Sequence, residues 1–252
     1  MNTQPPDHTE RIAELLRTFL LTTAAEELVP RLVAAGHEAA LPTVTEVLGL
    51  EQEARHERRV ARLRRASKLP TGKTYATFDD KRLSGPVLRK LHDLDRGDFL
   101  DGAINILAFG LPGVGKSHAL AALGHALVQQ GRPVLWAPTY LLIQDLLAAK
   151  RDLQLPRTLR KLDNFDLVIL DDIGNMNQSP EEAEVLFTLL AERYERRSTA
   201  LTSNLVFSEW DRIFKNKMAT SAAIDRLVHH SVVLEFNVPS YRTEKAKGST
   251  KD

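Results

Sequence analysis

Short apolar runs alternate with helical stretches over the larger, carboxyl-terminal part of the chain. Periodicity predicts two of the helices, His118–Gln130 and Pro180–Arg196. Strands are predicted by five apolar runs, Ile104–Phe109, Val134–Trp136, Leu167–Leu170, Thr199–Thr202 and Val232–Phe236. Strands that alternate with helices favour a parallel sheet covered by helices on both faces. The predicted fold class is therefore α/β.

The first 68 residues differ, because their apolar positions recur only at helical spacing. Residues 9–35 predict two amphipathic helices, and a third follows the break at Leu41-Pro42 and runs through residues 46–68. Pro70 and Gly72 end that helix. We expect a small all-helical amino-terminal domain with a basic helix (1–68), a linker and lead-in (69–102), an α/β domain (103–242) and a disordered tail (243–252).

Composition narrows the class of protein. The 252 residues are 43% hydrophobic, contain no cysteine and carry a formal net charge of +1. No apolar stretch is long enough to span a bilayer, and the first ten residues lack the basic start and apolar core of a signal peptide. We expect a soluble, cytoplasmic protein with no membrane partner. The absence of cysteine excludes disulfides and thiolate metal sites.

Positive charge is concentrated in two clusters. The first is a stripe on one face of the third helix, and the second lies between two predicted strands. The stripe contains Arg55, Arg58, Arg59, Arg62 and Arg65, and the second cluster contains Lys150, Arg151, Arg157, Arg160 and Lys161. Both clusters are candidates for contact with a DNA backbone, although a solvated charged helix face is the ordinary alternative. Neither contains an aromatic residue, which favours duplex DNA over stacked single strands.

The stretch "GLPGVGKS", Gly110–Ser117, matches the phosphate-binding P-loop motif at every position. It follows a predicted strand and opens a predicted helix, as the motif requires. Its glycines let successive backbone N–H groups face phosphate oxygens, Lys116 reaches the β- and γ-phosphates, and Ser117 offers its hydroxyl to Mg²⁺. The candidate nucleotide-binding residues are Gly110, Leu111, Pro112, Gly113, Val114, Gly115, Lys116, Ser117 and His118.

Polar residues end two further predicted strands. Asp171 and Asp172 follow the run "LVIL", and Asn204 follows "LTS". A carboxylate at the tip of a strand beside the P-loop strand suits Mg²⁺, so Asp171 is the candidate metal ligand with Ser117. Asp172 is the candidate that orients or deprotonates the attacking water, and Asn204 is a candidate either to contact the γ-phosphate or to hold that water. A capped turn at the aspartates and an ordinary asparagine turn are the alternatives.

Arg226 lies shortly before the last predicted strand. Supplied to the γ-phosphate of a neighbouring subunit, it would stabilise charge in the transition state. A surface salt bridge with Asp225 or Glu235 is the alternative. The adjacent pair His229 and His230 does not predict a metal site, because the sequence offers no cysteine and no further ligand at suitable spacing.

Several classes of P-loop protein are disfavoured. "NKMA" at 216–219 fails the guanine-reading N-K-x-D, and neither the catalytic Glu of RecA-like ATPases nor the Arg-rich lid of small-molecule kinases is found. The order of P-loop, acidic pair, strand-end Asn and Arg near the last strand resembles the AAA+ pattern. The segments "FDLVILDDIG", "LLAERYERRSTALTSNLVFSEW", "AAIDRLVHHSVVLEF" and "PSYR" are similar to the IstB-like transposition helpers, relatives of DnaC-type helicase loaders.

That resemblance implies an AAA+ ATPase domain over residues 103–242 and use of ATP and Mg²⁺. It also implies a homo-oligomer with shared ATP sites that assembles on duplex DNA, prepares a target site and recruits or stimulates the transposase of the same mobile element. By position, Lys116 belongs to Walker A, Asp171 and Asp172 to Walker B, Asn204 to sensor 1, and Arg226 is the arginine finger.

Two departures from the resembled pattern leave alternatives open. Asp172 stands where most members of the family have Glu, so hydrolysis is expected to be slow, or ATP acts as a switch without turnover. We also expect no carboxyl-terminal helical lid, and Arg242 is the one candidate for a second sensor. The main alternative function is that of a helicase loader acting on a replicative helicase and single-stranded DNA.

Overall fold

A computed structural model describes residues 8–174, 179–214 and 217–241. The described chain divides into two compact units, one ending at Ala61 and the other beginning at Arg62. Arg242, the candidate second sensor, and the tail 243–252 lie outside the described residues. None of the described helices is long and apolar enough to cross a bilayer.

The first unit is built from helices α1 (His8–Thr18), α2 (Thr22–Ala34) and the first part of α3 (Leu41–Ser67). Its core cluster is small: the buried members of that cluster come from α1 and α2, and α3 adds only the partly buried Leu41, Val44 and Leu48. Those buried residues are Ile12, Leu16, Ala25 and Val29. The break predicted at Leu41-Pro42 is instead the first turn of α3, where proline is tolerated because its missing N–H would have no partner there.

The second unit contains a parallel five-stranded sheet, which confirms the α/β class. Its strands are β1 (Asn105–Gly110), β2 (Val134–Pro138), β3 (Leu167–Ile173), β4 (Ser198–Ser203) and β5 (Ser231–Phe236). Their order is β2-β3-β4-β1-β5, and every adjacent pair is parallel. All five predicted runs are strands. The runs in β1 to β4 are largely buried, whereas β5 at the end of the sheet is only partly buried and contains the exposed Glu235.

The strand order corrects one expectation about the site. Asp171 was placed at the tip of a strand beside the P-loop strand, but β4 lies between β3 and β1. With strands about 4.8 Å apart, the two therefore lie roughly 10 Å from each other. Nothing local in the sequence gives strand order, because it depends on how the connecting helices cross the sheet.

Helices cover the sheet in two groups. The helices that follow α3 are α4 (Gly85–Asp95), α5 (Lys116–Gln129), α6 (Thr139–Arg151), α7 (Leu155–Leu162), α8 (Pro180–Arg193), α9 (Asp211–Phe214) and α10 (Lys217–Val228). The pair α4 and α5 pack together and on the sheet, while α6, α8 and α10 pack together. Successive residues of β3 contact different groups of helices. Ile169 lies against Gly124 of α5, and Val168 belongs to the core formed with the other helices.

Residues 69–102, expected as a linker and lead-in, pack onto the second unit. Leu69 is buried, and its Cδ2 lies 2.8 Å from where a Cβ on Gly124 of α5 would be. The His125 Nε2 lies 3.1 Å from the Pro70 carbonyl oxygen. Within α4, Val87, Leu91 and Leu94 form a buried stripe that the linker expectation overlooked.

Helix α8 ends at Arg193, three residues before the predicted end, because this arginine is drawn into the core. Its side chain is 1% exposed. The guanidinium donates to the carbonyl oxygens of Leu162, Phe165, Asp166 and Ser198, and to the Thr199 hydroxyl. Burial lowers the pKa of Arg193 to about 10, opposed by the nearby Asp163 carboxylate. The side chain thus ties α7 to the amino ends of β3 and β4.

Candidate nucleotide-binding site

The P-loop leaves β1 at Gly110 and enters α5 at Lys116. Gly113 and Gly115 have φ of 83° and 102°, values that disfavour any residue with a Cβ. Gly110 is constrained from a second direction, because a Cβ there would lie 2.6 Å from the Phe236 carbonyl oxygen of β5. The three glycines therefore fix a tight concave turn of backbone at the amino end of α5, as a phosphate cradle requires.

Lys116 points into this turn and is only 8% exposed. Its Nζ donates to the carbonyl oxygens of Gly110 at 2.6 Å and Leu111 at 2.9 Å. A buried ammonium needs such acceptors, and phosphate oxygens are stronger ones because they are charged. The Lys116 ammonium is thus already held at the mouth of the cradle.

A pocket of about 310 Å³ adjoins the P-loop. One wall runs from Gly113 to His118; the opposite wall comes from the lead-in and from Tyr241. The lead-in contributes Lys73, Thr77, Phe78, Asp79, Arg82 and Leu83. The pocket is within the volume range of small-molecule sites and combines aromatic with charged lining, which suits a nucleotide base and sugar.

The lead-in is fixed to the P-loop helix through His118. Its Nε2 lies 3.0 Å from the Thr74 carbonyl oxygen and 3.1 Å from the Thr77 hydroxyl, and its ring lies 5.1 Å from that of Phe78. The Tyr241 N–H donates to the Gly113 carbonyl at 3.0 Å. Sequence reasoning named His118 but missed Phe78 and Tyr241, for which no motif gives a signal.

Asp171 is held by threonines from the strands on both sides of β3. The Thr202 hydroxyl on β4 donates to Asp171 Oδ1 at 2.8 Å, and the Thr139 hydroxyl, just after β2, donates to the Asp171 carbonyl at 2.8 Å. Both threonines are buried. Thr202 also accepts the Asp172 N–H at 2.7 Å. Sequence reasoning missed both threonines, since each acts across a strand pair.

The two aspartates form an irregularity in β3. The register with β4 shifts between Leu170 and Ile173, and Asp172 has φ of 66°. One residue is thus inserted into β3, a bulge that redirects side chains at the edge of the sheet. An aspartate in the left-handed region costs about 1–2 kcal/mol relative to an ordinary conformation. The bulge leaves the Asp172 side chain exposed and Asp171 half-buried.

Arg226 lies at the opposite edge of the sheet. The side-chain amide of Asn105, at the amino end of β1, donates to the Leu227 carbonyl at 3.3 Å. The guanidinium of Arg226 lies 4.7 Å from the centre of the Phe187 ring, and its buried Nη1 makes no hydrogen bond within the described parts of the chain. Neither of the alternative salt bridges, with Asp225 or with Glu235, forms among the residues described. Asn204 follows β4 at the carboxyl edge, where the P-loop and Asp171 also lie.

These residues fit ATP and Mg²⁺. The glycine turn leaves room for phosphate where a Cβ would meet Phe236, and a buried ammonium points into it. Hydroxyl and carboxylate oxygens, the donors that Mg²⁺ prefers, are provided by Ser117 and Asp171. The residues predicted to bind nucleotide and metal therefore gather at one edge of the sheet, while Arg226 does not.

Comparison with known proteins decides the family. The profile of the family described as IstB-like ATP binding protein matches residues 12–249. The chain belongs to this family.

Two relatives are named as insertion-sequence ATP-binding proteins. One, from Sinorhizobium fredii (y4iQ/y4nD/y4sD), is 44% identical over 193 residues, which is 76% of this chain and 65% of the relative. The IS21 protein of Pseudomonas aeruginosa is 36% identical over 202 residues, 79% of this chain and 76% of the relative. The chain thus spans just under two thirds of the length of the first relative.

Solved structures share the fold at low identity. The DnaC helicase loader is 18% identical with a TM-score of 0.56, covering 66% of this chain and 98% of that one. AMPPCP-bound DnaA from Aquifex aeolicus is 18% identical with a TM-score of 0.55, covering 72% of this chain and 56% of that one. This likeness establishes a P-loop AAA+ fold for the IstB-like chain.

The arginines of the α3 stripe are exposed, but two of them already form ion pairs with an acidic side chain. In the first unit, Arg55 and Arg58 both bind the Glu51 carboxylate, at 2.6 and 3.1 Å, and Arg55 also lies 4.2 Å from the centre of the Phe19 ring. The hydrogen bond from Arg55 is the largest cause of a lowered pKa at Glu51. Arg59 is exposed in the same unit, and Arg62 and Arg65 are exposed in the second.

The second basic cluster surrounds the turn between α6 and α7. Lys150 binds Glu184 at 2.6 Å, which reduces its positive charge as a DNA contact. Arg151, Arg157, Arg160 and Lys161 are exposed and have no ion-pair partner among the residues that the structure describes. On α7 the basic residues oppose buried Leu159 and Leu162, so this helix presents a basic face to solvent.

The histidine pair has a third potential ligand after all. The structure places Glu195 beside His229 and His230, with ligand atoms of the three residues within 4.8 Å of one another. The sequence could not show this, because Glu195 is 34 positions before His229. All three side chains are exposed, and His229 Nδ1 is 3.1 Å from the Tyr194 hydroxyl.

Proposed function

We propose that this chain is an ATP-dependent transposition helper that oligomerises on duplex DNA, prepares target DNA and recruits or stimulates a transposase. The observation that carries the proposal is a complete set of P-loop and acidic residues at one sheet edge in a family whose relatives are named for insertion sequences. The proposal includes Mg²⁺-dependent hydrolysis of ATP, slow because Asp172 is short.

At the carboxyl edge each side chain has one task. Lys116 exchanges its two carbonyl acceptors for phosphate oxygens, and the Gly113 and Gly115 backbone lines the cradle. Bound Mg²⁺ would neutralise developing phosphate charge, held by Ser117 and Asp171. Asp172 orients the attacking water, and Asn204 contacts the terminal phosphate. Lys116→Ala is expected to abolish ATP binding, measured by equilibrium titration with a fluorescent ATP analogue.

The position of Arg226 supports action on another subunit. It lies by the amino end of β1, whereas the P-loop begins at the carboxyl end of the same strand. Six residues at about 3.3 Å per residue separate these ends by roughly 17 Å. An arginine side chain cannot cover that distance, so Arg226 cannot complete the site of its own chain. The guanidinium lies over Phe187 and its buried Nη1 has no hydrogen-bond partner among the described residues, so Arg226 would break no such bond of that nitrogen on turning toward a neighbour.

Mixing two inactive variants tests this role. Lys116→Ala keeps Arg226 but loses the P-loop lysine, and Arg226→Ala keeps the P-loop. If Arg226 acts on a neighbour, mixed assemblies contain some complete sites and the mixture regains ATPase activity that neither variant has alone. Activity that stays absent at every mixing ratio, or full activity of Arg226→Ala by itself, contradicts the role. Arg212→Ala, at an exposed arginine paired with Glu209, is the matched control.

DNA binding is assigned to the two basic clusters. Assembly would multiply weak phosphate contacts, since each added subunit binds at high effective concentration. Neutralising Arg157, Arg160 and Lys161 is expected to weaken binding to random duplex and to flatten its dependence on salt, because fewer counterions are released. The same comparison for Arg58, Arg59 and Arg62 tests the α3 stripe. If neutralising a cluster leaves the salt dependence of DNA binding unchanged, that cluster is a solvated surface and does not bind DNA.

Sedimentation with random-sequence duplex separates the proposal from the helicase-loader alternative. Large complexes that form with a slowly hydrolysed ATP analogue but not with ADP support the transposition helper. Preference for single strands, or assembly with no dependence on DNA, favours a helicase loader. ATP binding and assembly without measurable turnover would instead indicate an ATP switch, with Asp172 too short to orient water.

A further inference from the structure

The turn between α6 and α7 exposes a leucine in a backbone conformation that leucine rarely adopts. Leu153 has φ of 56° and is 87% exposed. Its N–H donates to the Lys150 carbonyl at 3.2 Å, and the Gln154 N–H donates to the Ala149 carbonyl at 2.7 Å. This pair of bonds is the helix-ending motif whose left-handed position is usually glycine.

Leucine gains nothing for the fold at this position. A glycine would remove the steric strain, and an asparagine would tolerate the conformation, whereas Leu153 leaves its whole side chain in water. A residue in an unfavourable backbone conformation that is not compensated by side-chain packing is a candidate for function. The two hydrogen bonds hold the turn and so fix the backbone from which this side chain projects.

The surroundings of Leu153 indicate a polyanionic partner. The segment 150–161 contains five cationic residues and one acidic residue, Asp152. Arg151, two positions before the leucine, and Arg157, four positions after it, are exposed and unpaired among the residues described. An apolar tip between phosphate-binding groups is the arrangement with which proteins part stacked base pairs and bend a duplex.

We propose that Leu153 is a wedge that inserts between base pairs of duplex DNA while the flanking cations bind the phosphates. The inference rests on the proposed duplex binding and specifies its deformation step. Insertion unstacks one base-pair step and kinks the helix, which is a physical means of preparing target DNA. Sequence preference would then follow the steps that unstack most easily, such as TA.

The test compares Leu153→Asn with wild-type chain on duplexes that contain 2-aminopurine, whose fluorescence rises on unstacking. At saturating protein and a slowly hydrolysed ATP analogue, the variant is expected to lose the fluorescence rise and to keep the wild-type salt slope. Leu153→Met should restore the signal. Leu20→Asn is the matched control, because Leu20 has φ of 61°, is 86% exposed and ends α1 with the same two hydrogen bonds.

The outcomes separate the wedge from the proposed function. Wild-type unstacking by Leu153→Asn overturns the wedge and leaves duplex binding intact. Loss of self-association by that variant with unstacking preserved places Leu153 at a contact between copies and also overturns it. Failure of wild-type protein to bind any duplex overturns the proposed function and the wedge together. A thermal midpoint equal to or above that of wild type excludes misfolding of the variant.

Discussion

Replacing Thr202 with valine removes one hydroxyl from the strand between the P-loop and Asp171. That hydroxyl donates to Asp171 Oδ1 at 2.8 Å and accepts the Asp172 N–H at 2.7 Å. The side chain is 1% exposed, and valine fills nearly the same volume. The change therefore isolates the two hydrogen bonds from packing.

The magnitude follows from those two bonds. A buried backbone N–H left without an acceptor costs about 1–3 kcal/mol, and the Asp172 N–H is partly buried, so its cost lies in the lower part of that range. The Asp171 carboxylate is half-buried, so water can replace its lost donor and this part of the cost is smaller. We expect unfolding free energy to fall by about 2 kcal/mol, which lowers the melting temperature by about 4–8 °C in a domain of this size.

The larger effect is expected on catalysis. Groups that orient a metal ligand typically change activity or metal affinity by about 10- to 100-fold when removed. Thr202→Val should lower kcat by a factor in that range and raise the Mg²⁺ concentration needed for half-maximal rate. Binding of a fluorescent ATP analogue without Mg²⁺ should stay at the wild-type level. The assay is phosphate release across an Mg²⁺ titration.

Thr202→Ser is the control, because it keeps the hydroxyl and loses only a methyl group. It should retain most of the activity. A valine variant with kcat within twofold of wild type, or a serine variant as impaired as valine, would refute the argument that the hydroxyl positions Asp171.

Three further changes test other parts of the structure. Arg193→Met should lower the free energy of unfolding by about 3–5 kcal/mol in urea titrations, because buried carbonyls lose their donor. Arg197→Met, which removes an exposed ion pair with Asp166, should lower it by under about 1 kcal/mol. Equal losses of stability in the two variants would contradict the reasoning. Gly110→Ala should abolish ATP binding because its Cβ would meet the Phe236 carbonyl, whereas Gly36→Ala, also at positive φ but in open space, should bind normally. Burial raises the pKa of Asp95 above its ordinary 3.8, although the Tyr75 hydroxyl bond opposes this. The folded chain therefore holds this proton more tightly than the unfolded chain does. The free energy of unfolding then falls as pH rises from about 3.8 through the higher pKa of the folded state. Asp95→Asn should flatten this fall, and a dependence of stability on pH identical to that of wild type would exclude the effect.

The sequence predicted the features that depend on neighbours along the chain. The five strands were found because each contains a short run rich in apolar or β-branched residues, and the P-loop because its chemistry requires glycines and a lysine at fixed spacing. The two helices predicted in this unit were correct to within three residues at each end. Helix α8 ended early for a reason that periodicity cannot show, the burial of Arg193 between strands.

Features that depend on distant parts of the chain were missed. The position of β4 between β1 and β3, the threonines on either side of Asp171 and the pocket wall around Phe78 all arise from strand order and packing. Polar residues with tertiary partners, such as Thr139 and Thr202, look in the sequence like ordinary strand or helix-end residues. The basic clusters were found from composition, but the pairing of Lys150 with Glu184 and the exposure of Leu153 needed coordinates.

The separation of the two sheet edges has a thermodynamic consequence for the proposed function. If Arg226 binds the γ-phosphate of a neighbour, then ATP strengthens the contact between subunits by some factor. By linkage, assembly must strengthen ATP binding by the same factor, with about 1.4 kcal/mol for each tenfold change. Duplex DNA that gathers subunits would then raise ATP affinity without touching the P-loop. Because ADP lacks the γ-phosphate, hydrolysis removes this coupling and weakens the assembly where it occurs.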